Sequence, residues 1–172
     1  MRTQRGFSLV EMVIVTIVLG IIAAAASPVI RNSLRAYNGV QDDIVTLDKV
    51  RYVTERLARE LRQVEYTGSA YNFATMTNAP VFTKREADGT ETVVTITNNT
   101  ATSPRTVTLG YSSPAVTSTL VDNVTTLTFT YYTSANATTT LTSAVKYVEI
   151  NLTVTVSGLA YSERTRVQLR NS

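Results

Sequence analysis

The stretch that decides the fold is Gly6-Phe7-Ser8-Leu9-Val10-Glu11, which is followed by an uncharged, mostly apolar run from Met12 to Ile30. That run has close to the roughly 20 residues that an α-helix needs to cross a bilayer. An ionisable side chain at bilayer depth costs about 2.5–3.5 kcal/mol on insertion scales, so it usually marks a functional site with a partner. The sequence therefore predicts a membrane segment in which Glu11 has a function.

Two simpler interpretations of the same segment remain open. It could be a plain single-pass anchor, or a secretory signal peptide whose small residues Ala23–Ala26 form the cleavage site. Glu11 argues against both, because neither an anchor nor a signal core gains from an acid at that depth. The junction between Gly6 and Phe7 also has no purpose in either.

The N-terminal pattern resembles that of the type IV pilin superfamily, which includes the pseudopilins of type II secretion. The shared features follow in the same order: Arg2 and Arg5, then Gly6, the aromatic Phe7, the small Ser8, the aliphatic Leu9 and Val10, and Glu11. The resemblance implies that a prepilin peptidase cuts after Gly6 and methylates the new N-terminus at Phe7. It also implies that Glu11 is the intramembrane acid, which pairs with the N-terminal amine of a neighbouring subunit and sets the register of assembly.

Pro28 lies near the end of the apolar run. A proline inside a helix removes a backbone hydrogen bond and clashes with the carbonyl four residues earlier, at a cost of about 3 kcal/mol. One interpretation is a simple end or kink of the membrane helix. The pilin resemblance favours a helix break that acts as a controlled weak point when the helix packs into a fibre.

Composition argues against several classes of function. The 172 residues include no Cys, no His and no Trp, which removes disulfides, thiolate chemistry and the commonest general base. We therefore expect no catalytic residues, no cofactor and no metal site. The net charge of +3 falls to +1 once Arg2 and Arg5 are removed, since 14 basic residues then face 13 acidic ones. A nucleic-acid partner is not expected at this near-neutral charge.

A second helical pattern follows the apolar run. Apolar residues recur every three or four positions, at Val40, Ile44, Leu47, Val50, Val53, Leu57, Leu61 and Val64. This spacing predicts an amphipathic helix with one buried face. The other face is charged, with Arg51/Glu55 and Arg56/Glu60 at helix-adjacent spacing. The stretch from Tyr52 to Gln63 resembles minor pilins of the W type, J-type minor pseudopilins and a minor pilin of mannose-sensitive haemagglutinin pili.

From Gly68 onward the chain is rich in Thr, Val, Asn and Ser, and β-branched residues alternate with polar ones. This pattern predicts antiparallel strands at Thr92–Thr97, Thr106–Tyr111, Thr125–Tyr132, Val145–Val156 and Arg164–Leu169. The apolar face of the fourth strand, from Val148 to Val156, is expected to cover the helical stripe. The expected fold is α+β: a long N-terminal α-helix, with a membrane half and an amphipathic half, packed on an antiparallel β-sheet. Its predicted parts are a leader (1–6), a membrane helix (7–30), an amphipathic helix (31–66) and a β domain (67–172).

Two segments of this β region have predictions of their own. Asp88-Gly89 is typical of a turn between strands. A calcium loop that includes Glu86 and Glu91 is the alternative, although the spacing fits no EF-hand. The polar segment Thr133–Ser143 is expected to be an exposed loop.

The sequence thus predicts a structural minor pilin or pseudopilin that acts in assembly initiation or at the fibre tip. The expected partners are the prepilin peptidase, other minor and major pilins or pseudopilins, and the inner-membrane assembly platform. The precursor is expected in the bacterial inner membrane, with its N-terminus in the cytoplasm and its β domain in the periplasm. The sequence does not separate a pilus from a secretion pseudopilus or a DNA-uptake system. A surface-binding module, similar to an adhesin, is the alternative function.

Overall fold

The computed structural model of the chain describes residues 8–86 and 88–170. Within these ranges an α-helix is followed by eight β-strands, and every strand pairing is antiparallel. The elements are α1 (Leu9–Arg62), β1 (Phe73–Thr75), β2 (Val81–Arg85), β3 (Glu91–Asn99), β4 (Thr106–Ser112), β5 (Ala115–Val121), β6 (Val124–Tyr132), β7 (Tyr147–Val156) and β8 (Leu159–Gln168). The predicted α+β class, with one long N-terminal helix and antiparallel strands, is confirmed.

The chain divides into two units, Met1–Ile44 and Val45–Ser172. The described part of the first unit is the start of α1, and the second unit contains the remainder of α1 and all the strands. The helix is assigned without interruption through Pro28, so it does not end there.

The strands form two sheets, where the sequence analysis expected one. The first has five strands in the order β1-β2-β3-β4-β5, and the second has three in the order β6-β7-β8. All neighbours in these sheets are also neighbours along the chain, so each sheet is a simple meander. The β2–β3 hairpin contains the predicted turn at Asp88-Gly89, and Gly89 adopts a φ of +86°, which favours glycine. The turn prediction is confirmed, and the segment from Thr133 to Ser143 is a loop as expected.

Strands β1, β2 and β5 were absent from the sequence prediction. Strand β1 has three residues, and β2 (VFTKR) ends in two cations, so neither shows a clear alternation. Strand β5 (AVTSTLV) is polar or exposed over most of its length because it lies at a sheet edge. Strand β1 is too short and β5 too exposed to impose a sequence pattern, and in β2 the charged Lys84 occupies a buried position and hides the alternation.

One hydrophobic core joins the helix to both sheets within the second unit. Val53, Leu57 and Leu61 of α1 are fully buried in the same cluster as Ile96 of β3 and Ile150 of β7. Fully burying such side chains contributes about 1.5–3 kcal/mol each. The predicted burial of the helical stripe is therefore confirmed from Val50 to Val64.

The early part of the predicted stripe behaves differently. Leu47, which lies in the second unit, is 50% exposed, so the expectation that a sheet covers the whole stripe is wrong at this residue. Val40 and Ile44, in the first unit, are 55% and 47% exposed. The buried residues of α1 begin only at Val50, and the large apolar residues before it are exposed.

Candidate functional site

The first turn of α1 is fixed by Ser8, the residue immediately before the helix. Its Oγ accepts a hydrogen bond from the backbone N–H of Glu11 at 3.3 Å, and its carbonyl accepts one from the N–H of Met12 at 3.2 Å. Ser8 is thus the N-cap, and it satisfies a donor that the helix itself leaves unpaired. This role was not predicted, although Ser-x-x-Glu before an apolar run is a known helix-start signature.

Glu11 lies in this first turn and its side chain is exposed. A carboxylate is favoured there, because the N-terminal end of a helix carries partial positive charge. Among the described residues, none forms a hydrogen bond or ion pair with the Glu11 carboxylate. The only acidic side chain of the apolar segment is therefore positioned at its start, with its carboxylate available to a cation from outside the described chain.

The surface around Glu11 is apolar over a long distance. Val10, Ile14 and Ile17 are 66%, 56% and 57% exposed, and the pattern continues through Ile21, Val29 and Leu34. The helix contains an 18-residue stretch long and apolar enough to cross a membrane, and none of that stretch is buried by the rest of the chain. A soluble monomer rarely exposes so large a continuous apolar surface. This part of the helix requires an apolar environment that the described chain does not supply.

The polar residues inside this segment do not disturb its apolar character. The Thr16 hydroxyl hydrogen-bonds the backbone carbonyls of Met12 and Val13 at 3.1 and 2.9 Å, so its polarity is satisfied within the helix. Gly20 has open space where a side chain would be, and nothing described packs against it. Pro28 lies inside the helix.

The structure places only part of the predicted site. Gly6 and Phe7 lie outside the described residues, so their proposed cleavage and methylation stay predictions. Glu11 and Pro28 lie on one continuous helix, 17 positions apart. At 1.5 Å per residue this spacing corresponds to roughly 25 Å along the axis, so the two do not form a joint site.

A second group of ionisable residues lies in the core, and it contrasts with Glu11. Glu60 of α1 is 2% exposed, yet its Oε1 lies 3.0 Å from Arg56 Nη2 and accepts a hydrogen bond of 2.8 Å from the Tyr111 hydroxyl. Its Oε2 lies 3.3 Å from Lys84 Nζ, which also pairs with Glu86 Oε1 at 2.8 Å. The prediction that Glu60 lies on the charged outer face of the helix is wrong. Because β2 and β4 bring a lysine and a tyrosine to it, the carboxylate is enclosed instead of solvated.

The electrostatics of this core group are those of a structural ion cluster. Burial acts to lower the pKa of Lys84, but its hydrogen bond with Glu86 and the charge of Glu60 outweigh it, so the pKa is raised. The pKa of Tyr111 is raised, mainly because the hydroxyl is buried and secondly because it donates a hydrogen bond to Glu60. Both shifts keep each group in its ordinary protonation state at neutral pH. A tyrosine or lysine acting as a base would need the opposite shift.

In the part of the chain that the structure describes, no group of three or more Asp or Glu residues is arranged to hold a metal ion. Asp88, considered above for a calcium loop, instead accepts hydrogen bonds from the Thr90 backbone N–H at 2.9 Å and from the Thr90 hydroxyl at 2.6 Å. Its carboxylate thus stabilises the β2–β3 turn.

Comparison with known proteins gives one result, and it falls on the N-terminal segment. No curated protein sequence matches the chain. Residues 1–27 match the family model of the prokaryotic N-terminal methylation motif. The matched range contains Gly6, Phe7 and Glu11 together with most of the exposed apolar helix, and it thereby supports a relationship of this chain to the type IV pilin and pseudopilin superfamily.

Proposed function

We propose that the protein is a minor pilin or pseudopilin that becomes a structural subunit of a type IV pilus or a type II secretion pseudopilus. In this proposal residues 1–6 are the leader, which the prepilin peptidase removes after Gly6. Phe7 becomes the N-methylated first residue. Residues 7–30 hold the precursor in the inner membrane. The rest of α1, which ends at Arg62 and not at residue 66 as the spacing predicted, leads to the β domain of residues 67–172.

The observation that carries the proposal is the exposed apolar surface of α1 with an acid at its start. An apolar helix can be covered by lipid before assembly and by the helices of other subunits afterwards, without a change in its own structure. An ionised Glu11 in the lipid is unfavourable unless a cation pairs with it, because an unpaired charge at that depth is costly. In this proposal the cation is the new amine that cleavage after Gly6 creates at Phe7, and the match to the methylation motif over residues 1–27 supports such a cleavage.

Pairing between Glu11 and the amine of a neighbour accounts for subunit register. Charges attract strongly in a medium of low dielectric constant, and leaving one partner unpaired there is heavily penalised. Each subunit would therefore be held where its amine meets a carboxylate, and sliding along the apolar helices would separate the pair. The Ser8 cap supports this arrangement, because it fixes the first turn on which Glu11 lies.

The assignment to a minor subunit, near the tip or in assembly initiation, rests on the resemblance of the stretch from Tyr52 to Gln63. Within that stretch Val53, Leu57 and Leu61 belong to the core and Glu60 to the buried ion cluster. Other subunits and the inner-membrane platform are the proposed partners. Pro28 is proposed as a weak point at which the helix loosens when it enters the fibre.

The proposal is tested by the N-terminus of the mature protein. The chain is co-expressed with a prepilin peptidase, purified from membranes and analysed by intact-mass and N-terminal peptide mass spectrometry. We expect loss of residues 1–6 and one added methyl group on Phe7, and we expect Gly6→Glu to abolish both changes. An uncleaved chain, or one cut within Ala23–Ala26, would refute the proposal and favour an anchor or a signal peptide.

A further inference from the structure

The four edges of the two sheets are not equally protected. Edge strands expose unpaired backbone groups, and proteins block them by shortening the strand, charging it or covering it. Strand β1 has only three residues, and β8 carries Glu163, Arg164 and Arg166. Loop groups occupy the outer side of β6: Asn78 Oδ1 accepts from the Phe129 N–H at 3.0 Å, and the Tyr131 carbonyl accepts from the Thr139 N–H at 2.9 Å.

Strand β5 has little of this protection. It is seven residues long, AVTSTLV, with no charge and no proline, and its first five residues are exposed. Its inner side pairs with β4, while within the described residues no other group hydrogen-bonds to its backbone. One irregularity exists, because the register with β4 shifts beyond Thr119. From Ala115 to Thr119 the pairing is regular, so the outward backbone groups are spaced to receive another strand.

The sequence of β5 reads nearly the same in both directions about Ser118. If two copies pair antiparallel with the symmetry axis at Ser118, then Thr117 of each copy lies opposite Thr119 of the other. In the same register Val116 lies opposite Leu120. Threonine pairs and aliphatic pairs are both favourable cross-strand neighbours. A twofold interface uses the same patch on both subunits, so that patch must be complementary to itself. Pairing with a strand of a different protein would not require this self-complementarity.

We propose that the outer edge of β5 is a pairing site for β5 of a second copy of this chain, which joins two five-stranded sheets into one ten-stranded sheet. This interface is separate from the N-terminal helix and does not depend on the function proposed above. It places the two Ser118 residues directly opposite each other at the symmetry axis. Neutral strands can meet there without repulsion, whereas the charges on β8 disfavour the same pairing at the other sheet.

Because the chain contains no cysteine, single cysteines report this geometry cleanly. Directly opposite residues have Cα atoms about 4.5–5.5 Å apart, which is within the range that a disulfide can bridge. Ser118→Cys in the full chain, in detergent micelles under mild oxidation, should therefore give a disulfide-linked dimer. Val116→Cys is the register control, because its two copies would be roughly 13 Å apart along the strands. Ser162→Cys on the exposed, charged edge β8 is the control for chance collision.

Charge changes provide the second arm, in the Ser118→Cys background. Thr117→Lys with Thr119→Lys places like charges opposite each other twice and should lower the dimer yield roughly tenfold, whereas Thr117→Lys with Thr119→Glu should retain it. Circular dichroism checks that each variant is folded. Equal linking at positions 116, 118 and 162, or no linking at 118, would overturn the proposal. Equal dimer yields from the two charge variants would also overturn it. If the partner of β5 were a strand of a different protein, position 118 would give no disulfide-linked dimer, and the proposal would be wrong.

Discussion

Two glutamates on the same helix have opposite environments. Glu60 is enclosed by Arg56, Lys84 and Tyr111, and the described chain provides every one of these partners. Glu11 is exposed on an apolar surface, and no described residue pairs with it. Glu60, which the chain itself encloses with two cations and a hydroxyl group, stabilises the fold, whereas Glu11 is the carboxylate for which we propose a partner from another chain.

The largest change in stability is expected from Glu60→Ala. Removing this carboxylate takes away the ion-pair partner of Arg56 and leaves Lys84, which is 8% exposed, with only Glu86 as a counter-charge. Breaking a buried ion pair in this way costs about 3–5 kcal/mol. Denaturant unfolding of the full chain in detergent, followed by circular dichroism, measures the loss. Glu55→Ala is the matched control, because Glu55 pairs with Arg51 at the surface, where such pairs contribute about 0–1 kcal/mol.

The apolar residues of the two helix regions should differ in the same way. Leu57→Ala removes a fully buried side chain and should lower the free energy of unfolding by about 2–5 kcal/mol. Leu19→Ala removes one that is 58% exposed, and in micelles it should change unfolding by less than about 0.5 kcal/mol. Equal losses in the two variants, measured by the same unfolding assay, would contradict the distinction between the buried and the exposed region of α1.

A smaller effect, visible as a pH dependence, is expected at Glu149 in β7. A hydrogen bond from Arg164 lowers the pKa of Glu149, with further help from Arg166. Because the folded-state pKa is below the unfolded one, the stabilisation is present above the unfolded pKa of about 4.5 and is lost as pH falls through the folded value. Thermal unfolding between about pH 6 and pH 3 should therefore show a steeper loss for the wild type than for Glu149→Gln. If the two proteins lost stability with falling pH at the same rate, the ion pair between Glu149 and Arg164 would contribute nothing to stability.

The smallest effect is expected for the surface pair between Lys49 and Asp122, whose side chains are 48% and 47% exposed. The hydrogen bond from Lys49 lowers the pKa of Asp122, but solvent screens a pair this exposed. Asp122→Asn should cost about 0.2–1 kcal/mol, and the cost should shrink as salt is added. A loss as large as that of Glu60→Ala would mean that burial does not separate the two kinds of charge.

The sequence predicted the elements that have a strong pattern of their own. The apolar run, the stripe from Val50 to Val64 and the alternation of β7 follow directly from periodicity, and the structure has all three. What it did not predict depends on neighbours that are distant in sequence. Glu60 has the sequence context of a surface residue and is buried only because β2 and β4 bring Lys84 and Tyr111 to it. Strand β5 has no apolar alternation because its first five residues are exposed on both faces.

The candidate site was predicted from a local motif, which is why the residues around Glu11 could be named in advance. The Ser8 cap could also have been predicted from the Ser-x-x-Glu spacing, which is a local signal of the same kind. The exposure of Val40, Ile44 and Leu47 was not predictable from spacing alone. Helical periodicity shows that a face is apolar, and it does not show where along the helix the covering sheet begins.

The most direct test of the central claim compares Glu11→Ala with Glu60→Ala in one experiment. Each variant is co-expressed with the peptidase and the fibre-forming subunits, and both its unfolding midpoint and its fraction in sheared, purified fibres are measured. The account predicts that Glu11→Ala is cleaved and as stable as the wild type but loses at least tenfold in fibre incorporation, whereas Glu60→Ala is destabilised. Normal incorporation of a cleaved, folded Glu11→Ala protein would contradict the account.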